Sequence, residues 1–412
     1  MIAALRRAFT LNPPYPPEHR RNFILLFLDI AFFGVLNGST VVFLAVYASR
    51  VGATPAEVGI LTAAPALMNT LLSFPASSFG RGKSNYNITR WAWLFTRIFY
   101  ALLIPLPLLF HTRGQIWIII AVVLAMNIPG TVAAVIGTSF FAETVPLRYR
   151  GSVVGTRNAL LAAASMITAF VVGRVSLAFP FAQQYAIVFA IGFTGSMLSC
   201  LMLFLIRPVK EEPEPEQPAG EISRDNRGIR PEIVRGPFGR VVGMVFIFHI
   251  GSFWANPIFP LYQTRELHFT DLLISQGTSL FWIIYFLSST QTGTLARRLG
   301  FRRLLGIGGA GSALALLVFT FSYQPWIYLL CQTISGVAWA MIGGGLLNYV
   351  LERVPANDRP PHLAWYNMAV NVAVLICGLL VPQTTGFTGL MGGMLLGTAL
   401  RLVSGIVILV WG

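Results

Sequence analysis

Long apolar runs separated by short polar breaks make up most of the chain, and a single long polar stretch interrupts them near the middle. A helix that crosses a bilayer needs about 20 mostly apolar residues. Runs of that kind lie at 22–48, 56–79, 91–110, 116–144, 151–179 and 185–206. They return at 238–262, 272–296, 304–321, 326–351, 364–381 and 389–410. Between the two sets, Arg207 to Arg240 is acidic and rich in Pro from Glu211 to Glu221, then basic from Arg224 onward. Its first part has too little apolar surface to offset the entropy of ordering, which predicts a flexible tether. The pattern therefore predicts an all-α polytopic membrane protein with 12 transmembrane helices in two pseudo-symmetric six-helix bundles. An amino-terminal segment (1–21) leads into the first bundle (22–206), and a linker (207–236) joins that to the second (237–412).

Composition agrees with this reading. Of 412 residues 55% are hydrophobic and 11% charged, with a mean hydropathy of +0.69; soluble domains carry about 25% charged residues. A net charge of +14 would suggest nucleic acid in a soluble chain, but here the positions of the basic residues account for it. An even number of spans puts both termini on one side. If that side is cytoplasmic, it receives Arg6, Arg7, Arg20, Arg21, Arg81, Lys83, Arg90, Arg148, Arg150, the linker, Arg297, Arg298, Arg302, Arg303, Arg353 and Arg359. Only Arg50, Arg113, Arg174 and Arg265 fall opposite. The positive-inside rule thus predicts cytoplasmic termini, with the basic linker held against anionic head groups. The first apolar run is too long for a signal-peptide core and should remain as a helix. Cys200, Cys331 and Cys377 sit inside apolar runs, as buried free thiols do, and neither disulfide nor metal-ligand spacing is present.

The two sets of runs repeat one another. Glu143, Pro146, Arg150 and Asn158 recur at constant spacing as Glu352, Pro355, Arg359 and Asn367. Tyr47-Ala-Ser-Arg50 is echoed by Tyr262-Gln-Thr-Arg265 at the outer ends of the first and seventh runs. Duplicated transporters leave such internal symmetry.

On these residues the chain resembles the major facilitator superfamily over essentially its whole length. The loop after the eighth run, from Gly293 through Arg297, Arg298 and Gly300 to Arg302 and Arg303, is similar to that family's G-x-x-x-D-R-x-G-R-R loop, with Arg297 where an Asp is usual. The first-half counterpart is only Gly80-Arg81-Gly82-Lys83. Pro146 to Gly151, containing Arg148 and Arg150, followed by Arg157-Asn158, is similar to the fifth-helix entry of bacterial members. The resemblance implies a multi-pass protein of a bacterial inner membrane. It also implies that Glu143, Arg150, Glu352 and Arg359 lie where the two halves close the cytoplasmic face.

Candidate chemistry is sparse. There is no phosphate loop, no ligand-spaced His or Cys set and no nucleophile with a supporting base, so neither an enzyme nor a cofactor is expected. Ionisable groups inside the bilayer cost about 2.5–3.5 kcal/mol each on insertion scales and are functional suspects for that reason. They are Asp29, Arg97, Arg157, His249 and Arg401. Asp29, Arg97 and Arg157 all fall roughly 10 Å from the cytoplasmic ends of their helices, so they can form a structural ion pair or a site for substrate or protons. His249, near the midplane, reads as a hydrogen-bonded core residue or a proton relay. In the family's arrangement the first, fourth, seventh and tenth helices line a central cavity. That nominates Asn37, Asn127, Asn256, Gln332 and Asn348, walled by Trp254, Trp339 and Tyr349.

These features point to a transporter moving a small, lipophilic or weakly polar solute by rocking one half against the other, with protons as a possible coupling ion and the monomer as the working unit. The alternative is a protein of the same fold that no longer transports and serves as an assembly or pigment- and lipid-binding partner in a membrane complex. A midplane filled with Phe and Trp would favour the alternative, and a polar-floored cavity between the halves would favour transport.

Overall fold

A computed structural model describes residues 17–79, 84–109, 113–208, 230–355 and 359–412. The amino-terminal segment before Pro17, Arg81 and Lys83, and the linker from 209 to 229 lie outside the described residues.

Helix α1 runs from Pro17–Leu36 through a π-turn at Asn37–Val41 into Val42–Arg50. It is followed by α2 (Pro55–Phe79), α3 (Asn85–Ile98, extended by a 3-10 segment at Phe99–Leu103), α4 (Gln115–Thr144), α5 (Leu147–Ala178) and α6 (Phe181–Leu205). After a short helix at Pro231–Arg235, α7 (Phe238–Phe253) breaks, resumes at Phe259–Leu261 and ends in a π-turn at Tyr262–Glu266. The helical stretch Asp271–Thr320 divides at Gly300 into α8 (271–299) and α9 (301–320). Helix α10 is Pro325–Leu351, and Arg359–Trp411 divides at Gly389 into α11 (359–388) and α12 (390–411). Among the described residues nine helices are long and apolar enough to span a bilayer. Two of these contain a reversal and the broken α7 adds one more, which accounts for the twelve passes.

The reversal at Gly300 explains the loop motif in backbone terms. Gly300 has φ 77°, a left-handed value that costs glycine nothing and strains any residue with a Cβ. The motif's glycine therefore turns the chain directly from α8 into α9. Helix α11 begins at Arg359, before its apolar core, and continues past 381 because Pro382 and the polar groups near it do not interrupt the helix.

The end of the molecule where α6 leaves and α7 enters is called here the linker side; the opposite end, at Arg50 and Asp271, is the far side. At the far side one hydrophobic core includes buried residues from both halves, among them Tyr47, Phe189, Tyr262, Phe319 and Tyr328. At the linker side there are two separate cores. One, with Phe23, Phe140, Val153 and Leu203, belongs to the first half; the other, with Phe238, Phe248, Leu305 and Tyr349, belongs to the second.

The halves meet where α2 packs on α11 and α5 on α8. The α2–α11 approach requires glycine on both sides. A Cβ on Gly59 would lie 2.2 Å from the Gly378 carbonyl oxygen, and one on Gly378 would lie 2.4 Å from Ala63 Cβ. Small residues at such crossings let helices associate within lipid, where no hydrophobic force drives them together.

Candidate functional site

The residues that sequence depth brings to one level form a cluster in the first half. Asp29 on α1 faces Arg157 on α5 at 3.3 Å and Arg97 on α3 at 3.9 Å. Ser199 on α6 donates a hydrogen bond to Asp29 Oδ1. Arg97 is 4% exposed and lies over the rings of Trp93 (5.0 Å) and Phe33 (5.8 Å). Its Nη1 donates to Ser199 Oγ at 2.7 Å and to the Ser196 carbonyl at 3.3 Å. Arg157 is more open, with its side chain 20% exposed, and it sits over Phe141 at 5.6 Å.

This cluster floors a cavity of about 450 Å³. Its walls come from α1, α3, α4, α5 and the end of α6, with Ile30, Phe33, Trp93, Phe140, Phe141 and Val154 supplying much of the apolar surface. Helices α4 and α5 do not pack along one another, and the rim residues Ala134, Thr138 and Val154 are exposed. Two buried polar atoms of cavity-lining residues, Thr89 Oγ1 and Arg97 Nε, have no hydrogen-bond partner. Buried polar atoms are almost always paired, so these two stand out in the cavity wall.

Most of the other nominated residues make hydrogen bonds within the protein. Asn37 donates to Ser165 Oγ at 3.0 Å and joins α1 to α5. Asn127 and Asn348 bond back to Val123 O and Gly344 O on their own helices. Gln332 donates to the Tyr328 hydroxyl at 2.8 Å. His249 has Nδ1 2.7 Å from the Val245 carbonyl oxygen and stacks on Phe253, in the manner of a core histidine. Asn256 is exposed in the break of α7, and the buried Trp254 Nε1 has no partner. Trp339 is half-buried, whereas Tyr349 is buried in the linker-side core of the second half. Among the described residues, Arg401 on α12 meets no carboxylate. It donates to Gly251 O, Ser252 O and Ser312 O, so it caps the carbonyls left open where α7 breaks.

The linker-side motif residues make local contacts. Glu143 accepts from Asn85, and Arg150 donates to Val145 O and Ala142 O, closing the end of α4. Glu352 lies 3.7 Å from its neighbour Arg353, Arg297 donates to Thr294, and Arg148 lies over Tyr149. Arg302 caps α12 through Ile408 O and Val410 O, while Gly293, Arg298 and Arg303 are exposed. Arg359 begins α11, and its side chain lies outside the described residues. None of these described contacts crosses between the halves.

The contacts that do cross are concentrated on the far side, at residues that sequence reasoning largely missed. Ser49 and Thr264, equivalent positions in the Tyr47–Arg50 and Tyr262–Arg265 echo, hydrogen-bond to each other at 2.5 Å. Arg50 reaches across to Phe269 O and to Asp271 at 2.9 Å; Arg265 reaches back to Ala53 O at 2.6 Å. Asp271 is buried and also accepts from Gln184 (2.7 Å) and Tyr185 (2.8 Å) of the first half. Its counterpart at the start of α2, Glu57, instead binds Arg113 at 3.0 Å and completes a capping box with Thr54. The latch is thus reciprocal in its arginines and one-sided in its carboxylate. Two further hydrogen bonds between the halves, Ser279 to Met166 O and Asn69 to Asn371, lie deeper along α8 and α2.

Fold and site together define a polytopic helical protein of two six-helix bundles, latched at one end. The second half, residues 241–412, matches the family model of the Major Facilitator Superfamily, and the chain as a whole shares its fold with solved transporters. A mutant of the nucleoside transporter NupG aligns over 94% of this chain and 98% of its own, at 14% identity and a TM-score of 0.73. A D-xylose-proton symporter aligns over 94% and 96%, at 14% identity and 0.69. The xylose transporter XylE from E. coli, in an inward-open conformation, aligns over 94% of both chains, at 15% identity and 0.67. No curated protein matches the chain.

Proposed function

We propose that the protein is a secondary transporter that carries a small organic solute across a membrane by alternating access. The observation that carries this reading is the contrast between one core shared by both halves at the far side and two separate cores at the linker side. Rigid halves joined at one end and parted at the other are what a rocking transporter presents in one of its two states. A solute-sized cavity with a charged floor lies toward the unlatched side, within the first half rather than between the halves. The parted cores of the linker side, rather than this cavity, favour transport over the non-transporting alternative. The distribution of arginines supports a cytoplasmic linker side, which makes this the inward-facing state. The linker from 207 to 236 then serves as a tether between the two bundles.

The test is passage of a solute panel by purified protein in liposomes, with and without a pH gradient, combined with a reversible lock. Ser49→Cys with Thr264→Cys puts two thiols at a 2.5 Å hydroxyl contact, and the native cysteines are buried. Oxidation should stop passage and a reductant should restore it. Equal passage by the oxidised and reduced proteins would refute alternating access.

A further inference from the structure

The charge balance of the cavity narrows what it can hold. One carboxylate, Asp29, faces two guanidiniums, and arginine keeps its charge in proteins. The cluster therefore carries a surplus of positive charge whether Asp29 is ionised or protonated. Arg97 is buried, and its Nη1 is committed to Ser196 and Ser199. Arg157 makes one described hydrogen bond, from Nη2 to Asp29, and is the more exposed of the two. The donors still open to a ligand thus sit mainly on Arg157, beside the unpaired Thr89 Oγ1 and Arg97 Nε.

We infer that this cavity takes an amphipathic organic monoanion: a carboxylate seated on Arg157, with an apolar or aromatic body against Phe33, Trp93 and Phe141. The inference rests on the transport reading and names its substrate class. A cationic ligand is disfavoured because the oxygens of Asp29 already face Ser199, Arg157 and Arg97, so it would meet two like charges while that carboxylate is engaged. A polyol is disfavoured because the walls above the floor are apolar and offer it few partners. An anion, by contrast, neutralises a surplus charge that is otherwise costly inside a bilayer. Charge-assisted pairing of a carboxylate with arginine provides orientation as well as energy.

Three probes with one ring system separate these cases: naphthalene-2-carboxylate, naphthalene-2-carboxamide and 2-naphthylmethylammonium. Binding to the purified full-length protein is measured by equilibrium dialysis in detergent, against protein-free micelles. The carboxylate should bind at least about tenfold more tightly than the carboxamide, the size of one hydrogen bond to a charged group, and the ammonium most weakly. Arg157→Gln should bring the carboxylate down to the carboxamide's level. Val154→Trp fills the rim while leaving every charged residue in place and should remove saturable binding of all three, which keeps the test decisive if Arg157→Gln fails to fold. Equal binding of carboxylate and carboxamide, preference for the ammonium, no saturable binding of any probe, or carboxylate binding unchanged in Val154→Trp would each overturn the inference. Liposome passage distinguishes this failure from failure of the transport reading. Saturable carboxylate binding without passage overturns transport alone; passage of the carboxamide with no preference for the carboxylate overturns the monoanion alone.

Discussion

The two ends of this molecule are built on different principles. At the far side, aromatic residues from both halves share one core, and the arginine of each half bonds a carbonyl of the other. At the linker side each half closes on itself, with Arg150 capping α4 and Arg302 capping α12. The difference teaches that each bundle is a finished unit on the side where it stands apart, so parting there exposes no torn core. The far-side closure can then be a switchable set of contacts rather than part of the fold.

The largest expected effect concerns the self-sufficiency of the first bundle. Asp29→Asn strands two guanidiniums, and removing one partner of a buried pair costs about 3–5 kcal/mol. The detergent-solubilised protein should therefore melt at a markedly lower temperature. Replacing Arg97 or Arg157 by an uncharged residue in that background should recover part of the loss. An unchanged melting temperature in Asp29→Asn would show that the cluster plays no part in holding the bundle.

Next in size is the α2–α11 crossing. Gly378→Leu drives a side chain into Ala63, and overpacking costs about 1–3 kcal/mol. Under the proposed alternating access this contact parts when the far side opens, so the substitution should shift the population toward far-side opening. A cysteine at Thr264, now buried, would become reactive toward a membrane-impermeant maleimide added from that side. Unchanged reactivity would make the crossing a static packing contact.

The smallest effect is expected at the latch itself. Asp271→Asn keeps the shape and loses the ion pair with Arg50, whose side chain is 25% exposed. Partly exposed pairs are worth about 1 kcal/mol or less, so the same maleimide assay should show a modest increase, no more than about fivefold.

Much of this architecture is legible in the sequence, because hydropathy specifies spans and a fixed rise per residue converts position into depth. Asp29, Arg97 and Arg157 are found that way. The loop glycine at Gly300 is legible from its motif, and the echo of Tyr47–Arg50 in Tyr262–Arg265 points to the latch. Depth does not tell which face of a helix a residue occupies. Thr89 and Trp93 are therefore invisible as cavity residues, and the sequence does not show that Asn127 and Asn348 each turn an amide N–H back to their own helix. Asp271 is missed for another reason. An acid in the first turn of a helix is what a helix start favours in any case, and only the fold brings Gln184, Tyr185 and Arg50 around it.

The central claim is that one protein closes alternately at its two ends, and paired distance measurements test it most directly. Spin labels at Gly114 and Tyr323 report the far side, and labels at Arg148 and Glu352 report the linker side; all four positions are exposed. Double electron–electron resonance in liposomes should give two populations at each end, with opposite weights. Conditions that lengthen the far-side distance, such as the Gly378→Leu background, should shorten the linker-side one. A single distance at each end, unmoved by that substitution, would contradict alternating access.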